Sequence, residues 1–161
     1  MNSRQEVFLS HSGLDHELAN SLSRRIEHEL NVRVFNTSDA ADRLKDLKQI
    51  LQPGMVWAIE AERHDTQLKD YLRENLLHSK AYLLLVTERS LEANSAWIKF
   101  EMQLASEEAK HRDLFFLPCV AGEELLGRLP RVAARFQGIA ITSEDGFRKL
   151  LDIIKRALEK I

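Results

Sequence analysis

The sequence predicts an α/β fold: a flavodoxin-like three-layer sandwich with a five-stranded parallel sheet in order 2-1-3-4-5 and helices on both faces. Short apolar runs at Glu6–Ser10, Val32–Phe35, Ala81–Thr87, Leu114–Val120 and Gly138–Thr142 alternate with stretches whose apolar residues recur at helical spacing. The runs are apolar almost throughout, as strands covered on both faces require. No repeat, low-complexity tract or linker divides the 161 residues, so residues 1–161 read as one domain.

The first strand ends in a polar loop at His11-Ser12-Gly13. A helix follows, with Ser12 or Gly13 as cap and Ser12 and Asp15 at capping-box spacing. Asp15 therefore reads as a capping residue. Leu18, Leu22, Ile26 and Leu30 form the apolar stripe of this helix, and the second strand starts just beyond Asn31. Asn36 to about Gln67 is too long for an ordinary connection. Within it Ala41–Leu51 predicts a short helix ended by Pro53-Gly54, and Trp57 with Ile59 provides apolar anchors, the pattern of a lid or binding loop. Leu68, Leu72, Leu76 and Leu77 mark a helix leading to the third strand.

Ser90–Glu101 joins that strand to a helix running to about Lys110, with Trp97, Phe100, Leu104 and Ala105 as its buried face. Glu101 falls on the edge of that face, so its carboxylate either has a structural partner or faces a cleft. After the fourth strand, Leu125, Leu126 and Leu129 make one or two helical turns before Pro130. Ser143 caps a last helix aligned on Phe147, Leu151, Ile154 and Leu158. In the predicted strand order the chain reverses its winding between the first and third strands, and ligands bind at the carboxyl ends there. That rule selects the loops Ser10–Asp15 and Glu88–Trp97, beside Glu101.

Hydrophobic residues make up 44% and charged residues 30%, a globular balance. A net charge of -2 offers no electrostatic ground for a nucleic-acid or anionic-membrane partner. No apolar run is long enough to span a bilayer and the start is polar, so a cytoplasmic location is expected. The single cysteine, Cys119, reads as a buried, inert thiol. The six histidines lack metal-ligand spacing, so no metal is expected. His111-Arg112-Asp113 stands without a Gly-rich loop or Asp-Phe-Gly and reads as a charged turn, and no phosphate-cradling motif is present. The sequon at Asn36-Thr37-Ser38 is expected to be silent.

Glu6-Val7-Phe8-Leu9-Ser10-His11-Ser12, with Asp15 and Leu18-Ala19, resembles the opening of Toll/interleukin-1 receptor (TIR) domains, especially bacterial ones. Val34-Phe35, Pro53-Gly54 with Trp57, Leu77 with Ser79, and Ser95-Ala96-Trp97 followed by Glu101 are similar to that family's later landmarks, in the same order. The resemblance covers about Glu6–Val120, and the last third follows only its strand–helix rhythm.

The resemblance implies an NAD+ glycohydrolase, or a cyclase, that cleaves the bond between nicotinamide and ribose. It makes Glu101, four residues after Trp97, the catalytic carboxylate, and places Phe8, Ser10, His11, Trp57 and Trp97 about the substrate. Each also has a plainer reading: Phe8 as core, Ser10 as a strand-end hydroxyl, His11 as a loop residue bonded to backbone, Trp57 as a loop anchor. NAD+ would be substrate, with no cofactor, and self-association or another TIR domain the partner, in bacterial defence or signalling. The alternatives are a non-catalytic TIR interaction module, and a flavodoxin-like small-ligand binder that a bound flavin would reveal. The segment between Phe35 and Leu68 is longer and more helical than the family's loop, which leaves its ligand contacts open.

Overall fold

In the computed structural model, described over residues 5–12, 15–36, 70, 73–93, 96–112 and 114–159, all strand pairs run parallel. The strands are β1 (Gln5–Ser10), β2 (Arg33–Asn36), β3 (Ala81–Val86), β4 (Phe115–Val120) and β5 (Ile139–Ala140), in the order β2-β1-β3-β4-β5. The helices are α1 (His16–Leu30), α2 (Glu88–Ala93), α3 (Ala96–His111) and α4 (Glu144–Glu159), with a 3-10 helix at Glu123–Arg128. The predicted fold class and strand order are the observed ones.

Period-two alternation divides the strands' side chains between two cores. Val7, Leu9, Leu83 and Leu85 point to one face and pack with α1 and α4. Phe8, Tyr82, Leu84 and Val86 point to the other and pack with Ile98, Met102 and Ala105 of α3. Every residue of β3 is buried, as its central position demands. On the α3 face the rings of Phe8 and Phe35 are 5.0 Å apart, those of Phe8 and Tyr82 5.6 Å, and those of Tyr82 and Phe116 4.8 Å.

Several details differ from the sequence reading. In α1 the buried positions are Ala19, Leu22, Ser23 and Ile26, while Leu18 is 42% exposed. The stripe is turned because two small residues, Ala19 and Ser23, let the helix lie closer to the sheet. In α3 the buried face is Ile98, Glu101, Met102 and Ala105, at i, i+3, i+4 and i+7. Glu101 thus lies within the buried face and not at its edge; Phe100 and Leu104 flank it, half-buried.

The stretch after β3 is not simply a loop, since α2 occupies most of it. β5 is also shorter than Gly138–Thr142. Phe115 and Ala121 donate their backbone N–H groups to β3-side carbonyls of Lys80 and Val86, so the even-numbered residues of β4 face β5. Pro118 has no N–H to donate there, and the ladder is confined to Cys119–Ile139 and Val120–Ala140.

Other expectations hold. Ser143 Oγ accepts from Gly146 N at 3.0 Å at the start of α4, and Phe147, Leu151 and Ile154 are buried. Cys119 is fully buried, and desolvation pushes its thiol up to about 12. Arg112 is more than a charged turn: it donates to Glu108 Oε2 at 2.8 Å and to the carbonyls of Ser79 and Leu76, each at 2.9 Å. No described helix is long and apolar enough to cross a membrane. The Ala41–Leu51 helix, Trp57 and the Leu68 and Leu72 positions lie outside the described residues.

Candidate functional site

The carboxyl ends of β1 and β3 are adjacent because Ser10 pairs with Leu84 and Phe8 with Tyr82. Beyond them the chain is tied across the gap. Thr87 Oγ1 donates to the buried carboxylate of Asp15 at 2.6 Å. The same hydroxyl accepts from Ser90 N at 3.0 Å, and Ser90 Oγ accepts from Thr87 N at 2.8 Å, closing a reciprocal cap on α2. Asp15 occupies the N-cap position of α1 but makes no side-chain cap hydrogen bond there. The capping-box expectation for Ser12 and Asp15 is therefore corrected: Asp15 N donates instead to Ser12 O at 2.9 Å, and its carboxylate reaches Thr87.

His11 is buried and committed at both ring nitrogens, Nδ1 to the carbonyl of Ser12 at 2.7 Å and Nε2 to Asn36 Oδ1 at 2.6 Å. Asn36 Nδ2 in turn donates to Asn20 Oδ1 at 2.6 Å, so the asparagine of the sequon is used inside the fold. The plain reading of His11 as a loop residue bonded to backbone thus holds in part, with Asn36 as the partner the sequence did not reveal. A cleft of about 720 Å³ opens at this end of the sheet, lined by Asp15, His16, Glu17, Leu18, Thr87, Glu88 and Arg89. Its walls come from Asp15, Thr87 and the first turns of α1 and α2, next to the carboxyl ends that the switch-point rule selects.

On the α3 face lies a second polar group of residues. Glu101 is 3% exposed, and burial pushes its carboxyl up to about 8 from an ordinary 4.5. Tyr82 is fully buried, and its phenol is held well above the ordinary 10.0 by desolvation and then by the Glu101 charge. Ser10, also fully buried, is near enough to favour the ionised form of both, yet no hydrogen bond of ordinary geometry joins the three. Among the described residues, Ser10 Oγ, Tyr82 OH and Glu101 Oε2 are the buried side-chain polar atoms without a hydrogen-bond partner. Orphaned polar atoms are costly, and their gathering on one face of β1, β3 and α3 marks a site equipped for a polar ligand group.

The sequence-predicted residues divide accordingly. Ser10 and Glu101 come together; Phe8 lies beneath them, packed between Phe35 and Tyr82 as core. His11 is one residue beyond Ser10 and points into the Asn36 network. Trp57 lies outside the described residues, as does the side chain of Trp97. Tyr82 was missed, although two-residue alternation from a buried β3 already places it on the Phe8 side.

No family model matches the chain, and no curated protein does. Among solved structures, it is similar to a metazoan TIR-STING receptor from C. gigas, at 17% identity and a TM-score of 0.57, over 96% of this chain and 40% of that one. A structure of that receptor in complex with 2',3'-cGAMP matches at 19% identity and a TM-score of 0.59, over 96% of this chain and 39% of that one. The chain thus spans about 40% of the length of the first of these receptor structures, and at such identity what is shared is the fold.

Proposed function

We propose that residues 1–161 form a single TIR domain that cleaves NAD+ between nicotinamide and ribose, giving ADP-ribose or a cyclic isomer. The observation that carries this reading is the Glu101 carboxyl, buried beside the unpartnered Ser10 and Tyr82 hydroxyls on the α3 face. The shared fold with TIR-STING receptor structures supports it.

One carboxylate suffices for this chemistry. Nicotinamide departs as a neutral base and needs no general acid, unlike the alkoxide leaving group of an ordinary glycoside. Glu101 holds the ribose hydroxyls and stabilises the positive charge that develops at the anomeric carbon. In the free protein burial favours the neutral acid, with a pKa of about 8. The permanent positive charge of the nicotinamide ring favours the carboxylate, so substrate binding expels a proton as it arms the site. Ser10 lines the wall, Phe8 underlies it, His11 fixes the adjoining loop through Ser12 and Asn36, and Trp97 and Trp57 pack against the substrate's rings. The protein acts in the cytoplasm, in bacterial defence or signalling, and self-association activates it.

A second reading, a non-catalytic module that recruits another TIR domain, is favoured by the near-complete burial of Glu101. NAD+ consumption by concentrated protein, with chromatography of the products and Glu101→Ala alongside, separates the two. Nicotinamide release that vanishes in the variant supports the enzyme. Absence of release even when the protein is clustered on a surface overturns it in favour of the module.

A further inference from the structure

Resting on the assignment of Glu101 as the working carboxyl, we infer that Tyr82 is a positioning residue acting on Glu101 through Ser10, in a directed chain from phenol to serine hydroxyl to carboxylate. The placement comes from the sheet. Phe8 pairs with Tyr82 and Ser10 with Leu84, so Ser10 is the diagonal neighbour of Tyr82 on the face that α3 covers. All three polar groups are buried, and all three end in an atom without a partner.

Ser10 lies within reach of both the phenol and the carboxyl, whereas Tyr82 and Glu101 interact only through charge, so one pattern satisfies all three when Glu101 is ionised. A carboxylate accepts and does not donate, and a phenol that stays protonated always has a hydrogen to give. Serine has one hydrogen and two lone pairs. It therefore accepts from Tyr82 and donates to Glu101, and the chain runs in that direction. The raised pKa of Tyr82 keeps it a donor throughout the range in which Glu101 titrates.

Among the described residues, the neighbours on this face include the apolar Phe8, Leu84, Ile98 and Met102, and the Tyr82 phenol is the titratable group that interacts with Glu101. His11, next to Ser10, is engaged with Ser12 O and Asn36 Oδ1. A neutral carboxyl would donate as well as accept, and Ser10 would lose its unique direction. Tyr82 and Ser10 thus favour the ionised, correctly turned carboxylate that the chemistry uses.

The test is a carboxyl titration followed by carbon-13 NMR of Glu101 in the free protein, on wild type, Tyr82→Phe, Ser10→Ala and the double variant. Thermal unfolding confirms that each is folded. Tyr82→Phe removes one hydroxyl and keeps the ring packing. The expected result is an upward shift of the Glu101 pKa by about half a unit or more in each single variant. In the Ser10→Ala background the Tyr82→Phe shift should disappear, because the chain is already cut.

An unchanged titration in Tyr82→Phe overturns the inference, as does an equal shift with and without Ser10. If Tyr82→Phe does not fold, Ser10→Ala alone decides: no upward shift there overturns the chain. The titration needs no turnover. A wild type that shows the coupling but releases no nicotinamide even when clustered defeats the enzymatic reading and leaves the chain intact, whereas an active wild type without the coupling does the reverse.

Discussion

Thr87 Oγ1 donates to Asp15 Oδ2 at 2.6 Å, a buried bond that joins the loop after β1 to the loop after β3. It spans the two carboxyl ends between which the chain reverses its winding. The bond ties together the two sides of the cleft that both residues line. Asp15→Ala should cost about 1–3 kcal/mol by leaving the Thr87 hydroxyl without its acceptor. Thr87→Val should cost a similar amount, and more if the Ser90 cap fails with it. Urea denaturation of both singles and the double should show less than additive loss, because one shared bond is removed in all three.

Glu101 makes stability depend on pH in a definite direction. Its folded pKa of about 8 lies above the ordinary 4.5, so the folded state holds the proton more tightly. The native state's advantage is present below pH 4.5 and is lost as pH rises through about 8. Glu101→Gln should flatten this decline and stabilise the protein above pH 8 by an amount on the order of a few kcal/mol. Denaturation curves for both proteins between pH 5 and pH 9 measure the difference; equal slopes would count against a buried, neutral carboxyl.

Gly146 reverses a familiar rule. Glycine to alanine within a helix usually stabilises by about 1 kcal/mol. Here an added Cβ would collide with the backbone oxygen of Ala140, which cannot swing aside like a side chain. The first turn of α4 would have to leave the end of β5. Gly146→Ala should destabilise by about 2 kcal/mol or more, read as a lowered melting temperature.

Arg112 serves as a clamp. Its guanidinium reaches Leu76 O and Ser79 O while Nε is held by Glu108, so the end of α3 secures the helical turn that delivers the chain to β3. Arg112→Met should cost about 2 kcal/mol. Amide exchange over residues 73–79 should speed up more than exchange in β3, because the freed carbonyls belong to that turn.

The sheet was legible in the sequence because each strand carries a short apolar run and each helix repeats at its own period. The last helix begins where it was expected, with Ser143 capping it. Misreadings fell where a side chain's partner is remote in sequence. Asp15 has the look of a capping residue, yet its partner is Thr87. Leu18 seemed core until Ala19 and Ser23 brought the other face of α1 against the sheet. For the candidate site, Glu101 was picked out by its place on the helix beside the switch-point loops and again by a family resemblance, and Ser10 by the resemblance, while Tyr82 passed as one more residue of an apolar strand.

The amino-acid order by itself determined which segments become strands and helices and that they stack as a parallel α/β sheet, since both follow from local periodicity and from the need to bury apolar surface on two faces. Tertiary structure alone decided the electrostatics. Glu101 is an ordinary carboxyl in the chain, and only the packing of α3 over β1 and β3 removes its water and places it beside Ser10 and Tyr82. Desolvation depends on everything within a few ångströms of an atom, and no spacing along the chain encodes that.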